Sequence, residues 1–388
     1  MNLFLITVFL LYSALHLYAF LKAKAAFHFS NKMGTCLLLL MVIMAFAPVL
    51  IRLSEKHGLE FIARIMSYIG YTWMGVLFLF FFSSLVIDLY HLLVYLSSLF
   101  VKRDLIAFAP SAKFSFFMPL LLSITLGIYG YYEAINIRTE KFIIKTSKIS
   151  QEVGRLKIVQ ISDVHLGLII REKRLERILK EVKRENPDIF ISTGDLVDGQ
   201  INNISELTEP LKKINPRFGK FAITGNHEFI AGLDQALDFT EKAGFSILRG
   251  EGVNISDMIT IVGVDDPAGK RYGLFKDVPE KELLSGFPKE RFLLLLKHRP
   301  DVDKDALGLF DLQLSGHVHK GQIFPFSLIT RLYYRHTADA GHLKLVDNSY
   351  LYVSRGAGTW GPPIRFLTPP EVTVIELVHE DLDNEVID

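Results

Sequence analysis

Four long apolar runs in the first third of this chain constrain it more than any other feature. Leu3 to Leu21 holds no Asp, Glu, Lys or Arg, and comparable runs extend from Cys36 to Ile51, from Ile69 through Phe78 and Phe82 to Phe100, and from Phe114 to Tyr132. A helix rises about 1.5 Å per residue, so about 20 apolar residues cross the hydrocarbon of a bilayer. The runs predict a transmembrane region over residues 1–135 with about four spans, three being the alternative. The first run lacks the basic leader and small-residue cleavage site of a signal peptide, and further spans follow it. Asp88 and His91 lie one helical turn apart in the third run. An interfacial pair at a helix end is the preferred reading of them, and an intramembrane proton relay is the alternative.

Loop charges bear on orientation. Lys22, Lys24 and Lys32 follow the first run, and Lys102, Arg103 and Lys113 follow the third; Arg52, Lys56 and Arg64 lie between the second and third. Basic loops tend to stay cytoplasmic, so six against three predicts that the chain beyond the fourth run lies on the extracytoplasmic side. Arg138, Lys141, Lys145 and Lys148 pull the other way.

Beyond about residue 140 the pattern changes to short apolar segments. Phe142–Ile144, Leu156–Ile161, Asp188–Ser192, Phe221–Thr224, Ile259–Val264, Phe292–Leu296, Leu312–Leu314 and Tyr350–Val353 read as strands, and Arg171–Arg184 as a charged amphipathic helix. The expected fold class is α/β: N-terminal transmembrane helices, then a two-sheet α/β sandwich with helices outside over residues 140–378. Residues 379–388, with Glu380, Asp381, Asp383, Glu385 and Asp388, read as a solvated acidic tail. A net charge of +1, from 43 basic and 42 acidic residues, gives no reason to expect a nucleic-acid partner. The single cysteine, Cys36, excludes an internal disulfide and a paired-cysteine metal site. Any metal must therefore bind His, Asp, Asn or Glu. The oligomeric state is left open.

Five short motifs fall at strand ends: Asp163-Val164-His165, Gly194-Asp195-Leu196-Val197-Asp198, Gly225-Asn226-His227-Glu228, His298, and Gly316-His317-Val318-His319. Loops beyond the carboxyl ends of strands are where sites form in α/β sheets, because the sheet fixes their roots. Any one motif alone is commonplace. Five in order, each after an apolar strand, predict a metal site built from carboxylates, imidazoles and a carboxamide. That donor set suits Mn, Fe or Zn. Gly194, Gly225 and Gly316 would allow close backbone approach.

These motifs, in this order, resemble the calcineurin-like metallophosphoesterase superfamily. Lys320-Gly321-Gln322, and Ser354-Arg355-Gly356-Ala357-Gly358 through Pro363 and Arg365, resemble its bacterial membrane-associated branch. The resemblance covers residues 140–378 and implies two divalent metal ions. Asp163, His165 and His319 would hold the first, Asn226, His298 and His317 the second, and Asp195 would bridge both. His227 would act on the substrate phosphate as a catalytic group. No motif position is degraded. The implied activity is hydrolysis of phosphoester or pyrophosphate bonds by a metal-activated hydroxide. The implied location is a bacterial inner or plasma membrane. Asp198 either orients a ligating histidine or is an exposed structural residue. Arg365 is either a phosphate clamp, through its planar two-donor fork, or a structural salt-bridge partner.

The partners expected are a phosphorylated substrate and membrane lipid. Ile323 to Tyr334 is rich in Phe, Leu, Ile and Tyr and directly follows the last motif. It would hold the acyl chains of a lipid-linked substrate, or else belong to the core. Related enzymes of the superfamily cleave the pyrophosphate of a nucleotide-linked acylated sugar in outer-membrane lipid synthesis, which the resemblance offers as a substrate class. The rival readings are a non-enzymatic metal-dependent sensor on a membrane anchor, and a transporter with a regulatory domain. For the latter, which needs intramembrane charges facing a cavity, only Asp88, His91 and Glu133 are available near the spans.

Overall fold

In a computed structural model of the chain the four apolar runs form four helices: α1 (Leu3–Phe27), α2 (Asn31–Lys56), α3 (Glu60–Val101) and α4 (Ala112–Ile135). The structure describes every residue except 1, 2, 103, 200–202, 336 and 382–388. Arg103 of the loop-charge count, and Asp383, Glu385 and Asp388 of the acidic tail, thus lie outside the described residues. The chain divides into two units, Met1–Tyr132 with Gly361–Ile364, and Glu133–Trp360 with Arg365–Asp388.

In the first unit all four helices are long and apolar enough to cross a membrane. Their outward side chains, such as Leu10, Leu39, Leu93 and Leu121, are apolar and exposed, the reverse of a helix that packs in water. At 42 residues α3 is roughly twice the length a bilayer requires. Asp88 and His91 each find a partner on another helix. Asp88 accepts from Tyr18 Oη at 2.5 Å and pairs with Lys22 near the end of α1, while His91 Nε2 lies 3.1 Å from Ser115 Oγ at the start of α4. Both residues thus lie inside α3, which runs on to Val101, and not at its end; each bonds separately to a neighbouring helix.

The second unit alternates strands and helices along the chain. Its strands are β1 (Arg138–Thr146), β2 (Arg155–Ile161), β3 (Ile189–Ser192), β4 (Lys220–Ala222), β5 (Ser246–Ile247), β6 (Glu251–Ile255), β7 (Ile259–Gly263), β8 (Phe292–Leu296), β9 (Leu312–Ser315), β10 (Gly341–Lys344), β11 (Tyr350–Val353) and β12 (Glu371–His379). Its helices are α5 (Glu172–Glu185), α6 (Thr208–Lys212), α7 (Asn226–Ala231), α8 (Leu233–Lys242), α9 (Gly269–Tyr272), α10 (Glu280–Ser285) and α11 (Phe326–Tyr333). Two six-stranded sheets result, in the orders β1-β12-β2-β3-β4-β5 and β10-β11-β9-β8-β7-β6. The expected two-sheet α/β architecture is the one observed.

Strand alternation divides the core. In β2, Ile158 faces the second sheet and packs with Ile191, Phe221, Ile261, Leu294 and Leu314. Its neighbour Val159 faces the other way and joins Leu175, Ile178, Leu179 and Val182 of α5. That spacing puts all four on one helical stripe. The sequence reading omitted β12, which lies between β1 and β2. Eight of its nine residues are buried, but Glu371, Thr373 and Glu376 are polar, so its sequence lacks the continuous apolar run by which the equally buried β3 and β8 are read.

Because Leu294 is fully buried between the sheets, Leu294→Ala should destabilise the second unit by about 2–5 kcal/mol. A drop in the urea concentration at which protease cuts this unit in the detergent-solubilised chain measures it; an unchanged midpoint would place Leu294 outside the core.

Candidate metal centre

The motif loops leave the carboxyl ends of parallel strands: β2, β3 and β4 in one sheet, β8 and β9 in the other. Backbone bonds hold these loops together. Asp163 N–H donates to Gly194 O at 3.1 Å, His165 N–H to Asp195 O at 3.0 Å, and Gly316 N–H to His298 O at 2.8 Å. Across the sheets, His317 N–H donates to both carboxylate oxygens of Asp163, each at 3.0 Å. Gly316 permits that approach, since a Cβ there would meet Ser162 Oγ at 1.9 Å and Asp163 Oδ2 at 2.3 Å. At Gly225 a Cβ would sit 2.2 Å from Asp195 Oδ1. The glycines thus make room for the side chains of the site.

The predicted residues converge. His165 Nε2 lies 3.0 Å from His319 Nε2, which is 3.4 Å from Asp163 Oδ1. On the other side, His298 Nε2 lies 3.3 Å from His317 Nδ1. Asp195 Oδ2 sits between these sets, 3.2 Å from His298 Nε2 and 3.9 Å from His165 Nε2. Asp163, His165 and His319 form one group able to hold a metal ion, and Asp195, His298 and His317 form another; a third joins His165, Asp195 and His227. Asn226 Oδ1 is buried with no hydrogen-bond partner. An orphaned buried acceptor costs about 1–3 kcal/mol, which a cation beside it would offset. Mixed imidazole, carboxylate and carboxamide donors match a transition metal, so the residues present fit the group.

The electrostatics agree with this donor set at His165, His317, His319 and Asp195. Burial pushes His165 down to about 4, helped by His227, and His317 down to about 3, helped by His298. Burial and His165 also hold His319 well below its usual range. Neutral imidazole is the form that binds metals. Burial opposes ionisation of Asp195, but His298 and His227 outweigh it and keep its carboxyl well below the ordinary value. Burial likewise disfavours a charged His298, yet the Asp195 and Asp163 carboxylates raise it to about 10. Burial, with Asp195 nearby, pushes Asp163 up to about 6. His298 Nδ1 lies 2.8 Å from Thr193 O and donates to it, which directs Nε2 toward Asp195.

Backbone strain marks the same residues. Asp163, His165, Asp195, His317 and His319 all adopt left-handed backbone, with φ between +49° and +72°. Asp and His tolerate this region better than most L residues, but such conformations still cost about 1–3 kcal/mol each. Surrounding contacts must over-determine them. Glu228 is one source that the sequence reading left without a role. Its buried carboxylate accepts from the backbone N–H groups of Gly225 (2.7 Å), Asp195 (3.0 Å) and Leu196 (2.8 Å). It thereby ties the loop after β3 to the loop after β4. Glutamate three residues after Gly225 is half of a capping box, the half in which the N3 side chain accepts from the N-cap N–H.

Two expectations change. Asp198 is half-buried, and its Oδ1 lies 2.7 Å from His227 Nδ1 but 3.9 Å from His165 Nδ1, so it orients His227 in preference to a ligand. Burial opposes the charge on His227, but Asp195 and Asp198 raise it to about 9. Arg365 is not placed as a phosphate clamp. It is 0% exposed, and its guanidinium donates to the carbonyls of Arg355, Gly358 and Thr368, with Nη2 also 3.1 Å from His319 Nδ1. Its fork is consumed by backbone carbonyls, so its role is structural, with carbonyls in place of the carboxylate that a salt bridge would use. Trp360 was not foreseen either. Its ring stands edge-on to His227 at 6.1 Å, and Gln322 holds its backbone N–H and C=O at 2.9 and 3.0 Å.

Comparison with known proteins gives a consistent picture. The family model for calcineurin-like phosphoesterases matches residues 156–321. An uncharacterized metallophosphoesterase of Aquifex aeolicus is 42% identical over 258 residues, covering 66% of this chain and 98% of that protein. An uncharacterized metallophosphoesterase of Campylobacter jejuni is 30% identical over 350 residues, 86% of this chain and 89% of that protein. A zebrafish (Danio rerio) protein named transmembrane protein with metallophosphoesterase domain is 30% identical over 67% of this chain and 62% of its own length.

The Gly316 geometry generates a test. Gly316→Ala should push Asp163 away from His317 N–H and lower the metal content of Mn²⁺-loaded protein severalfold, with the far-UV circular dichroism spectrum preserved. Full metal content in Gly316→Ala would show that the close approach is dispensable.

Proposed function

This chain belongs to the calcineurin-like phosphoesterase family and is a metal-dependent phosphoesterase, and from that premise we propose a membrane-anchored dinuclear hydrolase that cleaves phosphoester or pyrophosphate bonds of a lipid-linked substrate. The observation that carries the dinuclear reading is the position of Asp195 Oδ2, within 4 Å of histidine nitrogens from both donor groups. Asp163, His165 and His319 would hold one ion, Asn226, His298 and His317 the other, and Asp195 would be shared. Two bound divalent ions of the Mn, Fe or Zn kind would supply Lewis acidity toward phosphoryl oxygens and a nucleophile at neutral pH.

The chain's own groups do the rest. His227 takes the role of acid toward the leaving oxygen. Asp198 Oδ1 lies 2.7 Å from its Nδ1, a charge contact that favours the protonated ring and leaves Nε2 as the atom for the substrate. The backbone N–H of His227 donates to Asp195 Oδ1 at 2.8 Å, so Oδ2 is the oxygen left for the ions. Lipid linkage is supported by the exposed apolar segment that follows His319, and anchoring by the four apolar helices. Loop charges favour the extracytoplasmic side of a bacterial inner membrane for the second unit. The domain limits proposed are residues 1–135 for the membrane region and 140–378 for the catalytic domain, followed by the acidic tail 379–388.

Elemental analysis of the loaded full chain should approach two transition metals per molecule, and chelation should abolish hydrolysis of a chromogenic aryl phosphodiester. Asp195→Ala should lose metal and turnover together. His227→Ala should keep both ions yet lose about 10²- to 10⁴-fold in rate, the usual contribution of a general acid. Metal loss in His227→Ala equal to that in Asp195→Ala would contradict the division of roles. Lipid linkage is tested separately, by the ratio of kcat/KM for a lipid pyrophosphate in mixed micelles to that for a soluble nucleotide diester; equal values would remove it.

A further inference from the structure

We propose that α11 is an interfacial helix, lying in the headgroup layer of the membrane with its apolar arc against the acyl chains. The proposal rests on the anchoring inferred above. Phe326, Leu328, Ile329, Leu332 and Tyr333 fall on one arc of this eight-residue helix at 100° per residue, and Ser327, Thr330 and Arg331 on the other. In a water-soluble domain the apolar arc turns inward. Here it turns outward: Leu332 is 68% exposed and Tyr333 78%, and no residue of the helix is buried. Ser327 and Thr330, on the polar arc, are the less exposed positions. A helix with its polar arc toward the protein and its apolar arc outward suits a medium that is itself apolar.

The charge of the chain segment around α11 bears on the kind of surface, although Asp301 and Asp266 lie near Tyr334 at the carboxyl end of the helix. Residues 312–338 contain no Asp or Glu, while Lys320, Arg331 and Arg335 supply three cations. A basic, apolar segment complements an anionic lipid headgroup layer more closely than the mixed charge of an ordinary protein surface. A further exposed apolar side chain stands at the candidate metal centre. Trp360, 57% exposed, is held by Gln322 and stands beside His227, and tryptophan is a residue favoured at membrane interfaces. The occupant of this face is therefore the bilayer, and the surface that contacts it begins at the mouth of the site.

The test uses the full chain, reconstituted into vesicles of phosphatidylcholine and phosphatidylglycerol. Cys36 is the only cysteine, so Cys36→Ser provides a background for Leu332→Cys carrying an environment-sensitive fluorophore. A Glu176→Cys label on the exposed face of α5 is the reference. Lipids brominated at a shallow acyl position should quench the Leu332→Cys label severalfold more than the reference, with a blue-shifted emission. A label as unquenched as the reference and open to aqueous iodide overturns the proposal. So does a label shielded from iodide but untouched by bromolipid, which would indicate a protein partner or a second copy. Carbonate extraction separates this from the anchoring itself. A chain that stays in the membrane with an unquenched label sinks the α11 proposal alone, whereas a chain that is released removes both readings.

Discussion

The candidate site depends on one carboxylate. Asp195 stands where one imidazole nitrogen from each donor group, on His165 and His298, comes within 4 Å of the same oxygen, and the surrounding structure keeps it ionised despite near-complete burial. A lone buried charge of this kind would be untenable, because desolvation costs several kcal/mol per ion. His298, His227 and the backbone N–H of His227 supply the compensation on the protein side. The same need for compensation makes the place suitable for cations, since buried Asp195 also faces the neutral imidazoles of His165 and His317, an environment that a divalent ion stabilises.

Holding that arrangement requires backbone that the chain would not otherwise choose. Five residues of the site sit in the left-handed region, and each is held by contacts from more than one loop. Glu228 binds the N–H groups on either side of Asp195, and Asp163 clamps the N–H of His317 from the opposite sheet. Arg365, buried behind His319, gathers the carbonyls of the 355–358 loop. Gly358 in that loop lies so close to Val164 that a Cβ would fall 2.1 Å from its carbonyl oxygen. The two sheets meet rigidly because their interior is close-packed, and the strain at the loops is what that rigidity permits.

In the proposed arrangement the surface facing the membrane and the candidate site adjoin along one short stretch of chain. His319 belongs to the donor set, Gln322 secures Trp360 beside His227, and four residues after Gln322 the helix α11 begins. Apolar residues that a soluble enzyme would bury are on the outside here, in a segment free of carboxylates. This continuity favours a substrate presented from a lipid surface over one arriving from bulk water. The physical reason is that desolvation of the apolar part would occur on the same face as phosphate binding.

Much of this protein was legible in its sequence. Uncharged runs of about 20 residues admit few structures other than long apolar helices, and short apolar strands each ending in Asp, His or Asn marked the loops that converge. The motif glycines 225 and 316 could be named in advance because only close approach explains glycine there. Other features were decided by tertiary structure. β12 was missed because Glu371, Thr373 and Glu376 interrupt its apolar run, and only the fold shows that these polar residues are buried. Whether Arg365 clamps phosphate or braces a loop depends on whether its donors find solvent or carbonyls, and sequence spacing carries no such information. Asp198 could be matched to a histidine only when the loops after β2, β3 and β4 were placed in space. The apolar residues of α11 were visible as composition, but a one-dimensional pattern gives the width of an apolar stripe and not the direction in which the fold turns it.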